Sequence, residues 1–115
     1  ANGTGLLFYE YCRILKLIKK HNKDRHLFWL FENVASMPKE FRAQISESLG
    51  QEPRFVDSSE FSAQRRPMLY WGNIPWCAHE TINVTLQHVV HKGCNRIAVV
   101  DKIRTITTKS NSLKQ

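Results

Sequence analysis

The chain is 115 residues long and carries 17 basic against 10 acidic residues, a formal charge of +7. That length allows one domain at most, and a hydrophobic share of 42% excludes disorder throughout. The basic balance favours a polyanionic partner, nucleic acid or an anionic membrane surface, over an acidic one.

Leu7, Tyr11, Ile14 and Ile18 recur at helical spacing, with Arg13, Lys16 and Lys20 on another face. This predicts an amphipathic helix over residues 5–20. The same lysines and arginine interrupt the apolar stretch, so neither a secretory leader nor a membrane span is expected. Residues 27–31 form a continuous apolar run, the pattern of a strand buried on both faces of a parallel sheet. The run ends in Glu32-Asn33, which places a carboxylate near a strand's carboxyl end, where open α/β sheets hold their ligands.

Pro38 suits a helix start, Phe41, Ile45 and Leu49 repeat at i+4, and Gly50 supplies the stop. Phe55-Val56 and residues 68–71 read as short strands, and Gly72-Asn73 as a turn. Helix, strand, helix, strand in this order predicts an α/β sheet. Beyond Pro75 the pattern loosens. Val89-Val90 and residues 97–100 are apolar without a clear period, and the last residues, rich in Thr, Ser, Asn and Lys, read as a loop. With so few strands and helices on one side, apolar faces are expected to stay uncovered, as in a piece of a larger domain.

Cys12, Cys77 and Cys94 are odd in number and irregularly spaced, which argues against a disulfide framework and for a reducing compartment. Cys77, His79, His88, His91 and Cys94 lack the tight paired spacing of a structural zinc knuckle, so no metal is expected.

Phe31-Glu32-Asn33-Val34, residues 62–73 with Arg66 and Trp71-Gly72-Asn73-Ile74-Pro75, and the run from Arg104 onward together resemble the de novo DNA cytosine-5 methyltransferases. The resemblance spans nearly the whole chain and covers a central slice of that family's catalytic domain. It implies a partial Rossmann-like, S-adenosylmethionine-dependent methyltransferase sheet over residues 1–74. It also implies the start of a target recognition, DNA-reading region over residues 75–115.

The implied reaction moves a methyl group from S-adenosyl-L-methionine to carbon 5 of cytosine, in a CpG context. Cytosine carbon 5 is a poor nucleophile. The family adds an enzyme thiolate to carbon 6, which makes carbon 5 enamine-like, after flipping the base from the stack. Carried over by resemblance, Glu32 holds the exocyclic amine and ring nitrogen 3, Asn33 supports that carboxyl or the loop around it, and Arg66 grips a carbonyl, a phosphate or the catalytic loop. Leu7 touches the cofactor adenosine, and Phe8 and Tyr9 lie at a subunit contact. Arg104, Thr107, Thr108, Lys109, Ser110 and Asn111 contact DNA, as hydroxyls and basic groups do when they hold a duplex in place.

Met68 stands where the family motif carries a second arginine, with Arg65 just ahead of the pattern. No cysteine follows a proline directly, and no glycine-rich cofactor loop is visible, so catalysis belongs to a longer parent protein. The implied partners are DNA, chromatin and a second copy or a related methyltransferase-like subunit, in the nucleus, with no membrane. Two alternatives compete: a non-catalytic regulatory methyltransferase-like subunit and a basic DNA-binding module.

Overall fold

The computed structural model describes residues 3–106. Helix α1 (Gly3–His21) is followed by strand β1 (Leu30–Val34), helix α2 (Lys39–Leu49) and strand β2 (Arg54–Asp57). A 3-10 turn, Ser58–Glu60, leads into β3 (Gln64–Arg65), β4 (Pro67–Gly72), a short α3 (Leu86–Val89) and β5 (Ile103–Arg104). The architecture is mixed α/β.

The main sheet has the order β1-β4-β2. β4 is antiparallel to both neighbours, Leu30 to Val34 pairing with Gly72 to Met68, and Arg54 to Asp57 with Tyr70 to Pro67. β1 and β2 therefore run the same way, linked through α2, with β4 inserted between them. The expected parallel pairing of adjacent strands does not occur among the described residues of this sheet. Within this sheet the parallel relation survives only between β1 and β2, which do not touch.

Both helices cover one face. Phe8 of α1 packs against Phe31 and Phe41 at ring distances of 5.3 and 6.2 Å. Trp71 lies fully buried, and its Nε1–H donates to Ser46 Oγ of α2 at 3.1 Å. Phe8, Ile45, Leu69 and Trp71 form the core, with Phe31, Cys12 and Phe41 packed around it. The opposite face of β1 stays open, so its residues alternate exposed and half-buried. The expectation of burial on both faces is thus corrected: an edge strand with helices on one side needs only one apolar face.

The docked stripe of α1 is also rotated from the expected one. Phe8, Tyr11, Cys12 and Leu15 turn inward, while Leu7, Ile14 and Ile18 stay exposed. α1 is apolar on more than one stripe, so period alone cannot choose which one packs. In α2 the local signals hold: Pro38 precedes the first turn, and Gly50 closes the helix at φ 73° with its N–H on Ser46 O.

β1 starts three residues later than the apolar run because Asn73 holds the run's beginning. The Asn73 side chain accepts from Trp29 N–H at 2.9 Å and donates to Leu27 O at 2.7 Å. Gly72 makes that approach possible: a Cβ there would lie 2.6 Å from Trp29 O. The expected turn at Gly72-Asn73 is therefore a strand end and a side-chain clamp.

Candidate active site

Glu32 is central to β1, and cross-strand register fixes its surroundings. It faces Tyr70 on β4, and Tyr70 faces Arg54 on β2. Directly opposed residues share a face, so Glu32, Tyr70 and Arg54 form one row across the side of the sheet away from the helices. The next row toward the carboxyl ends of β1 and β2 is Val34, Met68 and Val56. Met68 is 6% exposed there and fills the sheet surface between two valines.

Beyond that row lies Arg66, exposed, at the amino end of β4. Arg66 lies four positions before Tyr70, which is about 13 Å along a strand. Glu32, level with Tyr70 in the middle of β1, and Arg66, ahead of β4, therefore make no ion pair. Asn33 points to the helical face, because successive strand side chains alternate. Its Oδ1 accepts from Val34 N–H at 2.8 Å, so it does not support the Glu32 carboxyl.

Trp76 comes down onto the Glu32 face. Its ring packs edge-on against Tyr70 at 5.9 Å, and the Arg54 guanidinium sits 5.2 Å over it. Arg54, Phe61, Trp76, Cys77 and His79 line an open cleft of ≈ 830 Å³ along this edge. Sequence reasoning missed Arg54 and Trp76. The only signal was one aromatic after Pro75, too little to place it against Arg54, 22 residues earlier.

A second feature joins the two regions that the sequence separated at residue 74. β3 and β5 form a parallel ladder in which Gln64 opposes Ile103 and Arg65 opposes Arg104. Ile103 N–H donates to Ala63 O at 2.9 Å, and Thr105 Oγ1 donates to Arg65 O at 3.1 Å. Lys102 Nζ ties Ser62 O to Val84 O. Arg65, Arg66 and Arg104 are exposed side by side at this seam.

Asp57 anchors the same corner. Its Oδ1 accepts from Ser59 N–H and Arg66 N–H, both at 3.0 Å. Partial burial works to raise the Asp57 carboxyl. The two N–H groups and the nearby Arg65 guanidinium outweigh it and hold the group below the usual carboxylate range.

The remaining expected residues fall elsewhere. Leu7 is 71% exposed on α1, on the helical side of the sheet and so opposite Glu32. Phe8 is buried in the core, which leaves Tyr9 as the surface member of that pair. Thr107, Thr108, Lys109, Ser110 and Asn111 lie outside the described residues.

The histidines have local partners. His79 Nε2 pairs with Glu60 Oε2 at 2.6 Å, His88 Nδ1 accepts from Thr85 N–H at 2.9 Å, and His91 Nδ1 accepts from Gly93 N–H at 3.1 Å. Burial pushes the Cys12 thiol up, with Lys16 opposing, so Cys12 is a poor source of thiolate. Among the described residues no helix is long and apolar enough to cross a membrane. No protein-family model matches the chain.

Proposed function

We propose that the chain is a central part of the catalytic domain of a de novo-type DNA cytosine-5 methyltransferase. The observation that carries this reading is the position of Glu32. It is an exposed carboxylate on the face of β1 that no helix covers, directly opposite Tyr70, with Trp76 packed against that ring. A carboxylate beside aromatic rings suits a planar, hydrogen-bonding base.

In this reading Glu32 receives a cytosine flipped out of the duplex. Its carboxyl accepts from the exocyclic amine and, when protonated, donates to ring nitrogen 3. Protonating that nitrogen draws electron density from carbon 6 and prepares it for thiolate attack. Tyr70 and Trp76 give the base an aromatic surface beside the carboxyl, and base–aromatic stacking contributes about 1–3 kcal/mol. Arg66 meets a phosphate or carbonyl of the substrate through its planar fork.

The residues described here do not form a site for S-adenosylmethionine. Leu7 offers one apolar surface, on the side of the sheet away from Glu32. The methyl donor and the thiolate are therefore assigned to other parts of a longer polypeptide. The exposed Leu6, Leu7 and Tyr9 on α1 suit a contact with a second copy or a related subunit, and a nuclear, chromatin-bound setting follows from the substrate.

One observation favours a second reading, a non-catalytic regulatory methyltransferase-like subunit. Met68 fills a buried place on the sheet and brings neither charge nor fork to the site. Product analysis separates the two. A CpG duplex is incubated with the full-length protein and methyl-labelled S-adenosylmethionine, then digested to nucleosides. Label in 5-methylcytosine supports the enzyme. Label on another base, or none, overturns it.

A further inference from the structure

We propose that Arg65 and Arg104 form one composite site that grips a single phosphate group of a nucleic-acid backbone. That the phosphate belongs to DNA rests on the reading above, whereas the paired site itself does not.

Arg65 and Arg104 are direct partners in the β3–β5 ladder. Neighbouring strands lie about 4.8 Å apart, and directly opposed side chains share a face. Gln64 and Ile103, one residue back, are half-buried beneath them, so both arginines turn outward together. Like charges directly opposite one another are unfavourable in a sheet. Here the chain holds them in register by hydrogen bonds to main-chain carbonyls: Ile103 N–H on Ala63 O, Thr105 Oγ1 on Arg65 O, and Lys102 Nζ on Ser62 O.

No acid forms an ion pair with either arginine among the described residues, although Asp57 lies close enough to Arg65 to feel its charge. Asp57, the nearest acid by its effect on the site, spends Oδ1 on Ser59 and Arg66 N–H groups, and Glu60 is engaged by His79. Lys102 and Arg66 add further positive charge at the same seam. Two adjacent guanidiniums present paired N–H donors on a pre-set spacing, which suits a phosphate with several acceptor oxygens. A carboxylate ligand would satisfy one fork and leave the other unpaired.

The test is a double-variant cycle in the full-length protein, read by fluorescence anisotropy of a labelled duplex over a range of NaCl concentrations. Arg65→Ala and Arg104→Ala are each expected to lower the slope of log K against log[salt] by about one unit. The double variant should fall no further than either single one, since the same phosphate is lost. Additive losses would mean two independent contacts and overturn the shared site, as would unchanged slopes. A second arm uses inorganic phosphate at matched ionic strength and measures thermal unfolding. Phosphate should raise Tm of the wild-type protein and not of the double variant. Absence of DNA binding together with this phosphate shift would sink the DNA reading and leave the site standing. Absence of the phosphate shift in the wild type would sink the site.

Discussion

Glu32 on β1 and Tyr70 on β4 are direct cross-strand partners on the face of the sheet that no helix covers. The pairing puts a carboxylate beside an aromatic ring, and Trp76 extends the aromatic surface from Tyr70 toward Arg54. A planar, hydrogen-bonding ligand fits that row better than a small ion or an extended peptide, since it uses both the ring faces and the acid. The methyltransferase reading takes that ligand to be a cytosine.

Tyr11 carries the one buried side-chain polar atom without a partner among the described residues, its hydroxyl. Burial also raises its phenol above the ordinary value, with Cys12 contributing. An unsatisfied buried hydroxyl costs about 1–3 kcal/mol. Tyr11→Phe keeps the ring against Phe31, 4.9 Å away, and removes the orphan. Urea unfolding of the chain should show a gain of about 1 kcal/mol. A loss of that size would mean the hydroxyl has a partner that the packing does not reveal.

Asp57 closes the first turn of the 3-10 segment and also accepts from Arg66 N–H. Its folded carboxyl lies below the ordinary value of about 3.9. The contribution is therefore fully present above pH ~4 and is lost as pH falls through the lower folded value. Asp57→Ala should cost about 1 kcal/mol at pH 7, the usual loss of a capping side chain. The gap to wild type should close as the pH is lowered toward 2. An equal gap at both ends of that range would show that the charged form does not carry the contribution.

Met68 occupies a buried place between Val34 and Val56, where the resembled family's motif carries an arginine. Restoring that residue is not benign here. Met68→Arg would bury a guanidinium against apolar neighbours, and its stability should fall by about 2–4 kcal/mol. Thermal unfolding of the variant checks this. A Tm unchanged from wild type would mean that the side chain escapes to solvent and that the position is open to an arginine after all.

The parts of the fold that were legible in the sequence are those set by short-range chemistry. α2 could be read because Pro38 and Gly50 mark its ends and Phe41, Ile45 and Leu49 its inner face. β2 and β4 could be read as strands from their apolar cores. Their order could not, because the insertion of β4 between β1 and β2 is a contact between distant segments. The start of β1 slipped because Leu27 to Trp29 look like strand residues but are held by Asn73, more than 40 residues away. β3 and β5 have two residues each, too few for any periodic signal.

The site divides the same way. Glu32, Arg66 and Arg104 were singled out by motif resemblance. The contribution of Arg65 depends on a ladder that joins residues 39 positions apart, and that of Trp76 on a loop folding back over the sheet. Of the two roles expected for Asn33, strand alternation turns its side chain away from the Glu32 carboxyl, and its bond to Val34 N–H is to the backbone beside Glu32.

The most direct test of the central claim is the rate of methyl transfer to a CpG duplex by the full-length protein, compared with its Glu32→Gln variant. The substitution keeps the shape and removes the acid. Glu32 is an exposed strand residue, so unfolding should be nearly unchanged, while the rate should drop about 100-fold or more, the scale of a positioned acid–base group. A variant that transfers methyl groups within a few-fold of wild type would contradict the account.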